Sequence, residues 1–259
     1  MSDDAFDNAC EVLADFADIK SPWTLSHSKR VSALAETSAT RAGDDPTLLR
    51  RAGLLHDVGR VGISAGIWGK RGPLSESQRE KVRLHAYNTD RILARSAALL
   101  PIARVASSAH ERCDGGGYFR GLHGGQLEHA ARLLGAADVY CALAESRPHR
   151  AARSTDEAVM VLRDEARAGL LDADAVEMVL QDAGHAAMRL SASRPAGLSE
   201  REAEVLAHLA RGATNKEIAR RLGISPKTVD NQVQSIYAKA GVRTRAGATL
   251  FAMERGFVT

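Results

Sequence analysis

The chain has 259 residues, 44% hydrophobic and 26% charged, with a formal net charge of +3, the composition of a soluble globular protein with material for one large domain or two ordinary ones. Three scattered cysteines, Cys10, Cys113 and Cys141, exclude a disulfide framework or a Cys-x-x-Cys metal site and suit a reducing compartment. No uninterrupted apolar run has the length of a membrane span, and the acidic opening MSDDAFDNACEVLADF has the wrong order for a secretory signal, so a cytoplasmic protein with no membrane partner is expected.

Aromatic residues make up only 4% of the chain, while Ala, Leu and Arg abound. These residues lose little freedom in a helix, so the expected fold class is all-α. Residues 1–20 read as an amphipathic helix with Phe6, Cys10, Leu13 and Phe16 near one face, placed to pack on the following domain or to mediate dimerisation. Further helices are predicted over about 24–42, 46–58, 75–98, 100–109, 126–145, 154–168 and 172–185. Between Arg112 and Gly125 six glycines (Gly115, Gly116, Gly117, Gly121, Gly124 and Gly125) rule out a helix. The expectation there is a loop able to bring backbone N–H groups close to an anion.

Through this half of the chain His27, His56, Asp57, His85, His110 and Asp138 recur about once per predicted helix. Such spacing lets a helical protein aim imidazoles and carboxylates at one or two metal ions. Their contexts are SHSKRVS, LLHDVGRVGI, RLHAYNTD, AHERCDGGGY and GAADVYCAL. In order and interval these resemble the HD-GYP branch of the HD phosphohydrolase superfamily, over roughly residues 20–150. The resemblance implies a helical domain whose His and Asp residues hold two or three iron or manganese ions that activate water against cyclic di-GMP. His27, His56, Asp57 and Asp138 match the ligands of the first metal, with Asp57 bridging. The second metal is expected on His85 and a His-His pair, of which His110 remains and Ala109 replaces the other. One ion is therefore expected, and a second is put in doubt.

Other departures follow from the same resemblance. Arg60 stands for a lysine, keeping charge for a phosphate but as a planar fork. Phe119 replaces the proline of the Gly-Tyr-Pro triplet, and Trp23 stands where three-metal members have glutamate, which argues against a third ion. Asp114, Gly117 and Tyr118 are retained and join Asp57, Arg60 and Arg112 as candidate catalytic or phosphate-binding residues. Glu111 and Arg112 either orient the loop or meet ligand phosphates.

SASRPAG, residues 191–197, reads as a linker. From Arg194 onward eleven Lys/Arg face six Asp/Glu, so a basic module follows a slightly acidic one, which directs attention to nucleic acid. Ser199 with Glu202 predicts a capped helix over about 199–211, Thr214 or Asn215 caps a second that ends at Gly223, and Ser225 with Pro226 opens a third. A fourth, from about Thr244 to Arg255, is alanine-rich and suited to pairing with a second subunit. The pattern is helix-turn-helix. The segment from GLSEREAEVLAHLARGATNKEIARRLGISPKTV to Arg245 and beyond resembles LuxR/GerE DNA-binding domains, from residue 197 to 256 without a gap. This implies that Pro226–Ala240 enters the major groove of double-stranded DNA, with Asp230, Asn231 and Gln234 reading bases and Lys227, Thr228, Lys239, Lys216 and Arg243 on phosphates. Asp230 accepts from a cytosine amino group, trims non-specific affinity, or is simply solvated.

The expected domains are an N-terminal helix (1–20), an HD-GYP-like domain (21–190), the linker (191–197) and a helix-turn-helix domain (198–259), forming a homodimeric transcription regulator. Two roles for the larger domain stay open: a working phosphodiesterase, or a ligand sensor or dimerisation platform without catalysis.

Overall fold

The computed structural model describes residues 2–188, 198–255 and 257. The expected linker and the 190 boundary lie outside the described residues. The expected all-α architecture is observed: the regular elements are α1 (Asp3–Asp18), α2 (His27–Ala42), α3 (Pro46–Leu55), α4 (Ala65–Trp68), α5 (Glu76–Leu93), α6 (Leu100–Ala106), α7 (His129–Ala144), α8 (Thr155–Arg167) and α9 (Ala173–Asp182), then α10 (Glu200–Ala210), α11 (Asn215–Leu222), α12 (Pro226–Ala240) and α13 (Arg245–Glu254). Short 3-10 turns cover Val58–Gly62, Ala97–Leu99 and Gly124–Gln126. No helix among the described residues is long and apolar enough to cross a membrane.

In the first region α2 packs on α3 and α7, α3 on α6, α7 on α8 and α9, and α5 against the Val58–Gly62 turn. Leu49, Leu55, Leu133, Leu134, Leu162 and Leu180 are fully buried among Ala35, Ala39, Ala52, Ala106 and Ala137. Each such leucine contributes on the order of 1.5–3 kcal/mol, and the alanines allow close helix approach. Asp45, Ser75, Ser154 and Asp172 cap the helices that follow them, satisfying N–H groups that have no partner within the helix.

Helix α1 corrects one expectation. Cys10, Ala14 and Ala17 form its buried face and Phe6 is partly buried, whereas Leu13 is 41% and Phe16 60% exposed. Small side chains bring α1 close to α2 and α3, and the bulkier ones stay outside. The Asp18 carboxylate then accepts from the N–H and the hydroxyl of Ser28, so the end of α1 holds the start of α2.

Several helices end sooner than periodicity predicts, and these ends matter. The second begins at His27 instead of 24, because Ser26 adopts φ 59°, a left-handed conformation costly for a residue with a Cβ. The third stops at Leu55, so His56 and Asp57 fall at a helix end before a tight turn. The sixth ends at Ala106, which leaves His110 in a turn.

The second region has its own core: Val205, Leu206, Leu209, Ile218, Val229, Ile236, Ala248 and Ala252 are buried together. The predicted Ser199–Glu202 capping box forms, Thr214 and not Asn215 is the cap of α11 and closes a further box with Glu217, and Ser225 caps α12 with Pro226 in its first turn. Gly223 closes α11 at φ 64°, where glycine avoids the Cβ penalty.

Candidate metal centre and nucleic-acid interface

All six predicted His and Asp side chains come together, and all are buried. Asp57 is the hub. Its Oδ2 lies 3.0 Å from His56 Nε2 and 3.7 Å from His27 Nε2, while its Oδ1 lies 3.2 Å from His85 Nε2 and 3.4 Å from His110 Nε2. Each carboxylate oxygen thus faces a different pair of imidazoles. Donor atoms of His27, His56 and Asp57 lie within 4.8 Å of one another, as do those of Asp57, His85 and His110. Asp138 lies 3.1 Å from His27 Nε2 and 3.6 Å from His56 Nε2 through Oδ1, and 3.3 Å from His110 Nδ1 through Oδ2.

The rings are aimed by what their other nitrogens do. His56 Nδ1 meets the Gly53 carbonyl at 2.8 Å, His85 Nδ1 the Val82 carbonyl, and His27 Nδ1 the Glu145 carboxylate at 3.0 Å. An Nδ1–H that donates outward fixes the tautomer and presents Nε2 as a free ligand atom. Thr89 ties α5 to the same turn: its hydroxyl donates to the His56 carbonyl and accepts from the Gly59 N–H, both at 3.0 Å. Gly59 is needed for that approach, since a Cβ there would lie 2.1 Å from the His85 carbonyl oxygen.

The electrostatics fit a cation. Burial opposes the charge on Asp57 and Asp138, yet Arg60 with His56 and His110 holds Asp57, and His110, His27 and His56 hold Asp138, well below the usual carboxylate range. Burial would likewise lower His56, but Asp57 and then Asp138 raise it to about 10. His110 is raised by Asp138 and Asp57 against burial, whereas burial and the neighbouring His110 lower His85. Two central atoms, His56 Nε2 and Asp57 Oδ2, are fully buried and, among the described residues, have charged neighbours but no partner with hydrogen-bond geometry. Buried polar atoms without partners are costly, and a metal ion replacing the imidazole proton would satisfy them.

Ala109 is fully buried in the apolar cluster. Next to it His110 touches both groups and stacks on Tyr118, with centroids 5.2 Å apart and planes 13° from parallel. Burial pushes the Tyr118 phenol above its usual range and keeps it a neutral donor. The sequence left Glu111 undecided. The structure shows it orienting the loop: its carboxylate accepts from the N–H groups of Arg120 at 2.7 Å and Leu122 at 3.0 Å. Gly117 lies against this segment so closely that a Cβ would come within 2.3 Å of the Arg112 nitrogen. Arg112 donates to the Glu111 carbonyl, and Asp114 accepts from the Gly116 N–H, closing its own turn. Arg60 is 7% exposed; one guanidinium nitrogen lies 2.5 Å from Asp57 Oδ2, and its Nε and Nη1 have no hydrogen-bond partner among the described residues.

Glu145 was missed by sequence reasoning, because nothing in the spacing marks a carboxylate just past the end of α7. It binds His27 and also pairs with Arg30 at 2.6 Å and Arg147 at 2.9 Å. Glu145→Ala is expected to weaken metal binding about 10- to 100-fold in a chelator competition. Glu145→Gln, which keeps an acceptor, should recover most of it; equal affinities in all three proteins would exclude a positioning role.

In the C-terminal region Lys216, Lys227, Asp230, Asn231, Gln234 and Arg243 are exposed, and Val229, Val233 and Ile236 fill the inner face of α12. Thr228 shares a 2.8 Å hydrogen bond with Ser225 at the helix cap, and Asp230 accepts from Asn215. The Lys239 ammonium, on an exposed side chain, lies 2.7 Å from the Glu202 carboxylate and so links α12 to α10. Although burial opposes its charge, Lys239, Ser235 and Ser199 hold Glu202 down at about 2.

The HD domain family matches residues 11–175, and the family described as bacterial regulatory proteins, luxR family, matches residues 196–252. Over 167 residues the chain is 38% identical to a 3'3'-cGAMP-specific phosphodiesterase of Vibrio cholerae, covering 62% of this chain and 36% of that protein. Over 142 residues it is 34% identical to a cyclic di-GMP phosphodiesterase of Pseudomonas aeruginosa, covering 53% of this chain and 34% of that protein. The chain thus spans about a third of the length of these relatives. An HDG"Y"P protein from Bdellovibrio bacteriovorus shares the fold, with a TM-score of 0.50 and 18% identity over 61% of this chain and 52% of that one.

Proposed function

The chain belongs to the HD domain family and carries a LuxR-family domain, and on that premise we propose that it is a DNA-binding transcription regulator whose helical domain binds and cleaves a cyclic dinucleotide. The observation that carries this reading is the two-faced environment of Asp57, with a separate imidazole pair at each oxygen. His27, His56, Asp57 and Asp138 would hold one ion. Asp57, His85 and His110 leave a three-residue group for a second despite Ala109. Nitrogen and carboxylate donors suit iron or manganese. When bound, such ions lower the pKa of water and stabilise charge on phosphoryl oxygens.

The protein's own residues supply the rest. Asp57 orients both imidazole pairs, the two unpartnered nitrogens of Arg60 are donors for a phosphate oxygen, and Tyr118 remains a neutral donor beside His110. The names of the relatives support cyclic dinucleotides as the substrate class, with cyclic di-GMP and 3'3'-cGAMP the first two to assay.

The test is a metal count and a hydrolysis assay on the same fresh preparation. Two ions per chain with turnover to the linear product is the expected result. One ion or none, without turnover, would replace this reading with a ligand sensor; Ala109→His creating turnover would then identify the missing imidazole as the cause. On the DNA side, Lys227→Ala should weaken binding on every sequence and reduce the salt slope by about one, whereas Asn231→Ala should relax preference at one base pair. Binding unaffected by either change would remove α12 from the groove.

A further inference from the structure

Beside the metal centre, and sharing Arg60 with it, is a cavity of about 320 Å³. It lies where the turn before α2, the segment around α4 and the stretch after α7 meet, and Trp23, Trp68, Arg60, Lys70, Arg147 and His149 are among its lining residues. Trp68 connects it to the centre. The Trp68 indole packs edge-on to His85 with centroids 5.8 Å apart, and the Arg60 guanidinium lies 5.0 Å from its ring centroid.

Three properties define what this cavity accepts. Its charged lining is cationic, with no carboxylate among the described lining residues, so an anion is favoured. Two indoles, Trp23 and Trp68, are among the lining residues and supply aromatic surface for a planar group. Trp68 Nε1 is a buried donor without a hydrogen-bond partner among the described residues, open to an acceptor on the edge of that group. A ligand that is anionic, planar and bears acceptors on the edge of its ring meets all three conditions. Guanine presents two such acceptors, O6 and N7, and adenine one. The volume is at the small end of ligand cavities of about 300–1,000 Å³, suited to one nucleotide unit.

We propose that this cavity is a purine-nucleotide subsite, with Trp23 and Trp68 as its base-contacting walls. The proposal rests on the cyclic-dinucleotide reading for its biological ligand, one half of which would occupy the cavity, but it can be tested without that ligand. Trp23 and Trp68 are the chain's two tryptophans, so intrinsic fluorescence reports on this cavity. Titrating GMP into the metal-loaded full chain should quench emission saturably, while ribose 5-phosphate, which lacks the base, should not. Stacking on an indole corresponds to about 5-fold or more in affinity per base. Trp68→Leu and Trp23→Leu should therefore each weaken GMP binding by at least about 5-fold in calorimetry, with the metal count unchanged.

Equal binding of ribose 5-phosphate and GMP would overturn the proposal, as would unchanged GMP affinity in the leucine variants. If Trp68→Leu does not fold, Trp23→Leu on the more exposed wall decides. GMP quenching in a protein that cleaves no cyclic dinucleotide sinks the phosphodiesterase reading and leaves the subsite standing. Cleavage with unaltered KM in both variants sinks the subsite alone.

Discussion

Asp57→Asn is expected to strip metal from both groups and to lower the proposed cyclic-dinucleotide hydrolysis by about 100-fold or more. Asparagine matches aspartate in shape but loses the charge and turns one oxygen into an N–H donor. Each Asp57 oxygen faces its own imidazole pair, so whichever way the amide turns, one group meets a donor where it needs an acceptor. A ligand's share of a metal's binding free energy is ~3 kcal/mol when ~10–16 kcal/mol is divided over four ligands, about a hundred-fold in occupancy. The metal-free protein should suffer as well. Arg60 is almost completely buried and pairs with Asp57, and removing one member of a buried pair costs ~3–5 kcal/mol. Metal analysis together with thermal unfolding after chelation separates the two effects. Retention of both ions in the variant would refute the bridging role.

Ile236→Ala should abolish DNA binding while leaving the metal count of the larger domain intact. Ile236 is fully buried on the inner face of α12, among Leu206, Ile218 and Val233. Truncation there costs ~2–5 kcal/mol in lost burial and cavity formation. A domain of about 60 residues has a total stability on the order of 3–9 kcal/mol, so the loss is comparable with all that holds it folded. The two apolar clusters share no residue, which is why the metal centre should be spared. A calorimetric scan should show the lower transition moving and the other staying in place. A simultaneous loss of metal would show that the two regions fold as one unit.

Much of this protein is legible in one dimension. The helix count in the C-terminal region, its capping boxes and its inner face follow from rules that act over three or four residues: a side-chain oxygen reaching the N–H three positions on, or apolar residues recurring every turn. The helical content of the larger domain follows in the same way, and the motifs around His27, His56, His85, His110 and Asp138 nominate the candidate metal ligands that the fold brings together.

What the sequence could not carry is whatever depends on two distant segments meeting. Burial of Ala14 and Ala17 in place of Leu13 and Phe16 reflects how closely α1 approaches its neighbours, which periodicity within α1 does not encode. Glu145 orients His27 across 118 positions, and Lys239 answers to Glu202 across 37. The cavity between Trp23 and Trp68 exists only where three connecting segments come together. The early end of α3, which places His56 and Asp57 in a turn, is set by packing of that turn against α5. Local chemistry therefore determined which residues are equipped to hold a metal or read DNA. Tertiary structure decided which partners aim them, because burial and long-range hydrogen bonds form only when the helices pack.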